Sequence, residues 1–356
     1  MKIHQILVTL AYGDGVGNDV IAIYNILKKH GYQTDIFALN IDARIQIEDL
    51  HTVGEMPEFS DEDLIIYHLS IGTELNERFS VWKGKKIIMY HNITPPEWFE
   101  GIDSNGIFLC TTGIRQAKEL AKEAEYCIAD SDFNKEDLIS MGYHCPIEVL
   151  PIIIPFDDYE KEPDHEIINK YNDDYTNILF TGRIAPNKKQ QDVIDVFAQY
   201  QRVYNEKSRL FLVGSYAEES MYYQEVKRHA EQSGAKNIFF SGHIPFEQIL
   251  SYYHIADLFL CMSEHEGFCI PLLEAMYFRL PVIAYESTAV PGTLNGSGVL
   301  VKEKDCEKVA KIIDNLACDE ECRKRIIEKQ DRRLQDFRYE KIEGDFIQMI
   351  QRYMEG

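Results

Sequence analysis

The stretch EGFCIPLLE, residues 266–274, begins and ends on glutamate, with Gly267 directly after the first acid and Pro271 ahead of the second. Carboxylates accept hydrogen bonds from hydroxyl groups, whereas the amides and positive dipole end at a helix start hold anions. The run DLFLCMS before it reads as a strand. PLLEAMYF after it reads as a helix with Pro271 at its first position, where a missing N–H costs nothing. Glu266 is therefore expected in the strand-to-helix loop and Glu274 in the first helical turn, on either side of an anion seat opened by Gly267. A hydroxyl-rich ligand carrying a phosphate suits both halves of that arrangement. Helix chemistry alone also favours an acid in a first turn, so the pair does not by itself establish a function.

FTGRIAPNKKQQDVIDVF supplies a second signal. It places Arg183 and Lys188 in the loop after the strand NILFTG, where two cations can neutralise a diphosphate and stabilise it as a leaving group. Either lysine of the Lys188–Lys189 pair, taken alone, is equally well a solvated loop charge.

These loops need strands and helices to position them. In the first half KIHQILVTL, TDIFALN, DLIIYHLS, KKIIMYHN, YCIADS and IEVLPIII alternate with helical runs such as NDVIAIYNILKKHG and NKEDLISMG. The second half repeats the rhythm with NILFTG, RLFLVG, NIFFSG, DLFLCMS and PVIAY between helical segments. Strands apolar on both faces and separated by crossover helices specify parallel sheets buried between helices. The predicted fold class is α/β, with two doubly wound Rossmann-like domains facing a central cleft, and ligands expected at the carboxyl ends of the strands. The predicted boundaries are 1–155 for the first domain, 156–176 for a polar, acidic linker and 177–337 for the second domain. The helical stretch 338–356 is expected to complete the first.

Bulk properties narrow the classes. The 356 residues are 45% hydrophobic and 12% aromatic, and the formal net charge is −22. That charge argues against nucleic acid or an anionic membrane surface as the main partner. It also makes any local cationic pocket informative. No apolar run reaches the roughly 20 residues of a membrane span, and the first ten residues read as a strand, so cytoplasmic residence is expected. No basic amphipathic patch stands out beyond KGKK, residues 83–86. The eight cysteines form no CxxC pair and read as reduced, mostly buried thiols; Cys318 and Cys322, one helical turn apart, cannot close a zinc shell alone.

At this point the residues carry a family resemblance. SEHEGFCIPLLEAM resembles the E-x7-E segment of the retaining glycosyltransferases of the GT-B fold, the large GT4-like family also called glycosyl transferases group 1. GRIAPNK resembles that family's G-R-x-x-x-x-K element. SGHIPFEQILSYYHIADLFLCMS, RLPVIAYESTAVPGTL and GSGVLV follow the flanking pattern. In the first half GDGVGNDV, YHNITPPEWF and IADSDFNKEDL resemble the glycine loop, a cleft histidine segment and a later strand–helix junction.

The resemblance implies roles. Glu266 would contact the transferred sugar, with the amides of Gly267 and Phe268 near its hydroxyls, and Glu274 would hold the nucleotide ribose. Arg183 and Lys188 would bind the diphosphate. Gly15 and Gly17 would let a loop approach the donor phosphate and the acceptor, and His91 would face the sugar. Thr288 and Ala289 stand where many members carry two glycines beside the phosphates. The implied activity is metal-independent hexosyl transfer with retention. A nucleotide-diphosphate sugar would serve as co-substrate, with no further cofactor, and a glycan or lipid-linked acceptor would receive the sugar in surface polysaccharide or glycoconjugate assembly. A lipid-linked acceptor would add peripheral contact at the inner face of the membrane. From the residues alone, His91 is equally a strand-capping histidine, and GDGVGN is a weak dinucleotide fingerprint. A nucleotide-sugar epimerase of the same architecture, an NAD-dependent dehydrogenase using Asp42 on a ribose, and a non-catalytic sugar-nucleotide binding subunit are the competing readings.

Overall fold

The structure, a computed structural model, describes residues 2–355. It divides into two compact units: residues up to Pro155 together with those from Phe337 on, and Phe156–Asp336. Each is built on one wholly parallel sheet.

The first sheet contains β1 (Lys2–Leu10), β2 (Gln33–Ile41), β3 (Leu50–Thr52), β4 (Leu64–Leu69), β5 (Lys85–Tyr90), β6 (Cys127–Ala129) and β7 (Ile147–Val149), in the order β3-β2-β1-β4-β5-β6-β7. The second contains β8 (Thr176–Thr181), β9 (Ser208–Val213), β10 (Ile238–Phe240), β11 (Leu258–Cys261), β12 (Val282–Tyr285) and β13 (Val299–Val301), in the order β10-β9-β8-β11-β12-β13. In both sheets the strand order reverses beside the first strand, which is the doubly wound pattern. All residues of β4, β9 and β11 are buried, the pattern expected of strands covered by helices on both faces. Edge strands β3 and β13, three residues each, carry too little periodicity to be read as strands from sequence.

The helix Tyr339–Glu355 belongs to the first unit. It inserts Ile342, Phe346, Ile347 and Ile350 into a core shared with Ile3, Ile23, Leu27, Leu64 and Ile87. Its carboxyl end is capped by Lys85, whose Nζ donates to the carbonyls of Tyr353 (3.0 Å) and Met354 (2.8 Å). Lys86 donates to the carbonyl of Phe79. Two of the three lysines of the KGKK run are therefore spent on the fold.

The segment read as a linker is structured. A 3-10 turn over Phe156–Glu160 leads to the helix His165–Tyr171. Asp164 at its cap is tied to the helix Phe246–Ile255, where Ser251 Oγ donates to its carbonyl (3.1 Å) and Gln248 to its carboxylate (3.0 Å). Tyr159 and Tyr171 are buried within the second unit, and these two anchors outweigh the polar composition that suggested a linker. Cys318 and Cys322 also differ from expectation. They fall on successive helices broken at Asp319, whose side chain accepts the N–H of Cys322.

Gly214, after β9, has φ +153, and a Cβ there would lie 2.1 Å from the carbonyl oxygen of Gly182. Gly214→Ala is expected to destabilise the second unit by roughly 1–3 kcal/mol or more. Gly344, inside the last helix, has open space where a Cβ would stand, with nothing within 4 Å. It should respond oppositely, gaining about 0.5–1 kcal/mol on mutation to Ala. Denaturant melts of the two variants check this contrast of sign.

Candidate functional site

Three loops at the carboxyl edge of the second sheet, following the adjacent strands β8, β11 and β12, are laced together around Glu266. The loop after β8 turns through the 3-10 segment Pro186–Lys188. There Asn187 Nδ2 donates to the carbonyl of His265 (2.9 Å), while the carbonyl of Asn187 accepts from Glu264 N (2.8 Å). From the loop after β12, Thr288 Oγ1 accepts the Glu266 N–H (2.8 Å), and Ala289 N donates to the Glu266 carbonyl (3.3 Å). Thr293 Oγ1 donates to the carbonyl of Phe268 (2.5 Å), and Ser287 Oγ to that of Ser263 (2.6 Å).

The centre of this lacing is an ion pair. Lys188 Nζ lies 2.7 and 2.6 Å from the two carboxylate oxygens of Glu266. The Glu266 side chain is 7% exposed and that of Lys188 22%. Burial pulls the Lys188 ammonium toward deprotonation, but the adjacent Glu266 charge and hydrogen bonds more than offset it and hold the pKa above the ordinary lysine value. The site thus keeps a fixed positive charge beside a carboxylate. A second cluster surrounds it: Lys304 bridges Asp192 and Glu264, and Lys189 lies 3.4 Å from Glu264.

The other expected donor-site residues divide. Arg183 follows β8 with an exposed side chain, and Gly267 is half-buried beside the buried Phe268. Thr288 and Ala289 act on Glu266 itself, holding its main chain at both N–H and C=O. Glu274, expected to hold a ribose, is in the helix Ile270–Tyr277 beyond its first turn and is half-buried. One of its oxygens accepts from Tyr159 (3.0 Å) and the other from Tyr253 (2.6 Å), whose hydroxyl also meets Thr181 (2.6 Å). Burial raises the Glu274 carboxyl above its ordinary pKa, and the two tyrosine hydrogen bonds oppose that rise. Sequence reasoning missed both tyrosines, because they come from elements distant in the chain. A surface pocket of about 540 Å³, lined by Tyr159, His254, Tyr277 and Arg279 among others, adjoins this network through Tyr159.

In the first unit, Gly15 opens the helix Gly15–Lys29, and Asp14 caps it by accepting the Gly17 N–H (3.4 Å). A Cβ on Gly17 would lie 2.6 Å from the carbonyl of Ala11, so this glycine lets the helix start sit against the end of β1. Its N–H and its missing side chain both serve the helix start. Asp42 is held by Arg44 through contacts of 3.0 and 2.6 Å, which keep its carboxyl well below the usual carboxylate range. The acid that a dehydrogenase reading needs is occupied.

His91, the expected sugar contact, has an imidazole that is 0% exposed. It belongs to a relay across four neighbouring strands. Gln5 Nε2 donates to the carbonyl of Val20 (3.1 Å), so Gln5 Oε1 must accept from His68 Nε2 (3.0 Å). Burial, reinforced by the nearby His91, holds His68 neutral, which leaves its Nδ1 as an acceptor for His91 Nε2 (2.8 Å). His91 Nδ1 then donates to Asp130 (2.9 Å). Both His91 nitrogens therefore carry protons. Burial opposes that charge, but Asp130 and then Asp19 and Asp14 outweigh it and raise the pKa. Burial lifts the Asp19 carboxyl to about 7, with His91 opposing and Asp130 adding. Asp19 Oδ1 accepts the Ile153 N–H (2.8 Å). His68, Asp130 and Asp19 escaped sequence reasoning because their only signal is a position on or beside a buried element.

Taken together, the two doubly wound units and the loops at the second sheet's carboxyl edge define a GT-B glycosyltransferase fold. Solved structures share it. The chain superposes on Anabaena HepE, crystallised with UDP and glucose, with TM-score 0.76 at 19% identity, covering 99% of this chain and 100% of that one. On WaaG, a glycosyltransferase involved in lipopolysaccharide biosynthesis, the TM-score is 0.72 at 16% identity, covering 96% and 98%. Residues 160–333 match the family model Glycosyl transferases group 1. Among curated relatives, the lipopolysaccharide 1,2-N-acetylglucosaminetransferase of Salmonella typhimurium is 30% identical over 146 residues, 39% of this chain and 38% of that protein. The O-antigen chain mannosyltransferase B of Escherichia coli is 24% identical over 208 residues, 56% and 54%. The chain thus spans about half or less of the length of these relatives. Among the described residues, no helix is long and apolar enough to cross a membrane.

Breaking the central ion pair from one side leaves a largely buried charge uncompensated. Lys188→Met or Glu266→Gln alone should cost about 1–3 kcal/mol, and the double variant less than the sum, read by a double-mutant cycle of denaturant melts. A carboxyl whose folded pKa lies above its unfolded value favours the folded state while it is protonated, and this advantage is lost as pH rises through about 7. Asp19→Asn keeps the acceptor for Ile153. Its stability relative to wild type should therefore increase by on the order of 1–4 kcal/mol between about pH 4 and about pH 8. A difference independent of pH rules this out.

Proposed function

We propose that the protein is a retaining hexosyltransferase that moves a glucose- or mannose-type sugar from a nucleotide diphosphate to a glycan or glycolipid acceptor. The process is the assembly of surface polysaccharide. The observation that carries this reading is the Lys188–Glu266 pair, held by three laced loops at the carboxyl edge of a doubly wound sheet, with Arg183 on the same loop as Lys188. A fixed cation next to a carboxylate suits a ligand that presents a diphosphate to one and sugar hydroxyls to the other. The family match covers this unit, and several curated relatives are sugar transferases of lipopolysaccharide or O-antigen synthesis. Mannose transfer is in the names of the O-antigen chain mannosyltransferase B and the serotype-specific mannosyltransferase WbdA of Escherichia coli, and of a phosphatidylinositol monomannoside mannosyltransferase of Mycolicibacterium smegmatis.

In this reading Glu266 orients the sugar while Lys188 and Arg183 stabilise negative charge on the departing diphosphate, with no metal or further cofactor assigned. The leaving phosphate takes the acceptor's proton on the face from which it departs, giving retention. Catalysis then comes from positioning and charge stabilisation.

The test is a thermal-shift screen against UDP-, GDP-, ADP- and dTDP-sugars, followed by transfer assays. One base should stabilise the protein above the rest; stabilisation by none overturns the reading. Arg183→Ala should lower turnover by about a hundredfold or more with its unfolding transition unchanged. Glu266→Gln should retain nucleotide affinity while losing affinity for the sugar moiety, as separated by calorimetry with nucleotide and nucleotide sugar.

A further inference from the structure

Cys269 occupies an unusual position. It is the residue immediately before the helix Ile270–Tyr277 and adopts φ +72, ψ +63, the left-handed region that glycine enters without penalty and a residue with a Cβ does not. Its Sγ belongs to a compact group with Cys261, at the end of β11, and Glu266. One ligand-capable atom from each of the three lies within 4.8 Å of the other two, and among the described residues this is the one such trio. All three residues are buried, at 2%, 5% and 7% exposure for Cys261, Cys269 and Glu266.

We propose that Cys261, Glu266 and Cys269 form a site for a thiophilic d10 cation, with Zn2+ as the physiological candidate. The chemistry of the donor set carries this. Two sulfurs and one carboxylate oxygen are the ligands such an ion prefers, and zinc holds sulfur at about 2.3 Å and carboxylate oxygen at about 2.0–2.2 Å. Around a common tetrahedral centre those bond lengths put the ligand atoms inside the observed spacing. Charge also balances locally: two thiolates and a carboxylate carry three negative charges, and the dication with the Lys188 ammonium carries three positive ones. Lys188 need not be expelled, because it contacts both Glu266 oxygens and can keep one while the other turns to the metal. Binding forms two Zn–S bonds and one Zn–O bond and releases two thiol protons to solvent, with no change in oxidation state. The fourth position falls to water or an anionic ligand. Cysteine in a left-handed conformation, where glycine would be less strained, then has a purpose.

Occupancy ties Glu266 to the metal and so opposes sugar orientation. This consequence rests on the functional reading above, whereas metal binding itself does not. The experiment titrates the reduced full-length protein with Co2+, a spectroscopic stand-in for Zn2+, in the presence of a phosphine reductant. Wild type should bind one equivalent with a thiolate-to-cobalt charge-transfer band, and added Zn2+ should abolish that band. Cys269→Gly, which suits the local backbone, and Cys261→Ala should each weaken binding roughly a hundredfold or more and lose the band. Cys145→Ala, which alters the separate Cys127–Cys145 contact of 3.6 Å, should leave it intact. Absence of the band in wild type, or its persistence in Cys269→Gly, overturns the proposal. In a transfer assay Zn2+ should inhibit wild type and spare Cys269→Gly. If no variant or condition shows transfer while the band behaves as expected, the functional reading fails and the metal site stands.

Discussion

A parallel strand covered by helices on both faces has no room for unpaired polar groups, and this constraint organises both units. Every residue of β4, β9 and β11 is buried. Charge is rare on these strands, Arg209 of β9 being held by Asp173, and the charged groups gathered around Glu266 stand in loops at the strands' carboxyl ends. Glu266, Lys188 and Arg183 are in such loops. Gln5 and His68, polar side chains inside β1 and β4, are each hydrogen-bonded on both sides, because an unpaired buried polar group costs more than the bond returns.

That pressure explains the lacing around Glu266. A carboxylate 7% exposed in a chain with net charge −22 needs a nearby cation and a fixed main chain. Lys188 supplies the charge, while Thr288 and Ala289 hold the backbone. The neighbouring Asp192–Lys304–Glu264–Lys189 cluster repeats the solution nearer to solvent. Thr288, expected beside a phosphate, accepts the Glu266 N–H through its hydroxyl oxygen, so a side chain in that loop does structural work.

The first unit meets the same constraint with a chain of hydrogen bonds through Gln5, His68, His91 and Asp130. The donor or acceptor role of each group fixes that of the next, which leaves His91 as a doubly protonated imidazolium among carboxylates. The segment YHNITPPEWF made His91 visible, but His68 and Asp130 looked like ordinary strand-end residues. What joins them is adjacency of β1, β4, β5 and β6, and that follows from crossover topology rather than from separation along the chain.

From sequence alone the alternation of apolar and amphipathic runs set the α/β class, because covered strands and crossover helices have different hydrophobic periods. The same reading placed Glu266, Arg183 and Lys188 in loops, since a strand end followed by glycine or proline marks a turn. Partnership was beyond its reach. That Lys188 meets Glu266 across 78 positions, that Glu274 is taken by Tyr159 and Tyr253, and that Cys261 reaches Cys269 are facts of loop packing. The segment 156–176 reads as a linker by composition and becomes part of a domain through Tyr159 and Tyr171. Local patterns report which residues prefer burial or a turn; only the folded sheet order decides which distant side chains share a loop cluster, and hence which charges must neutralise one another.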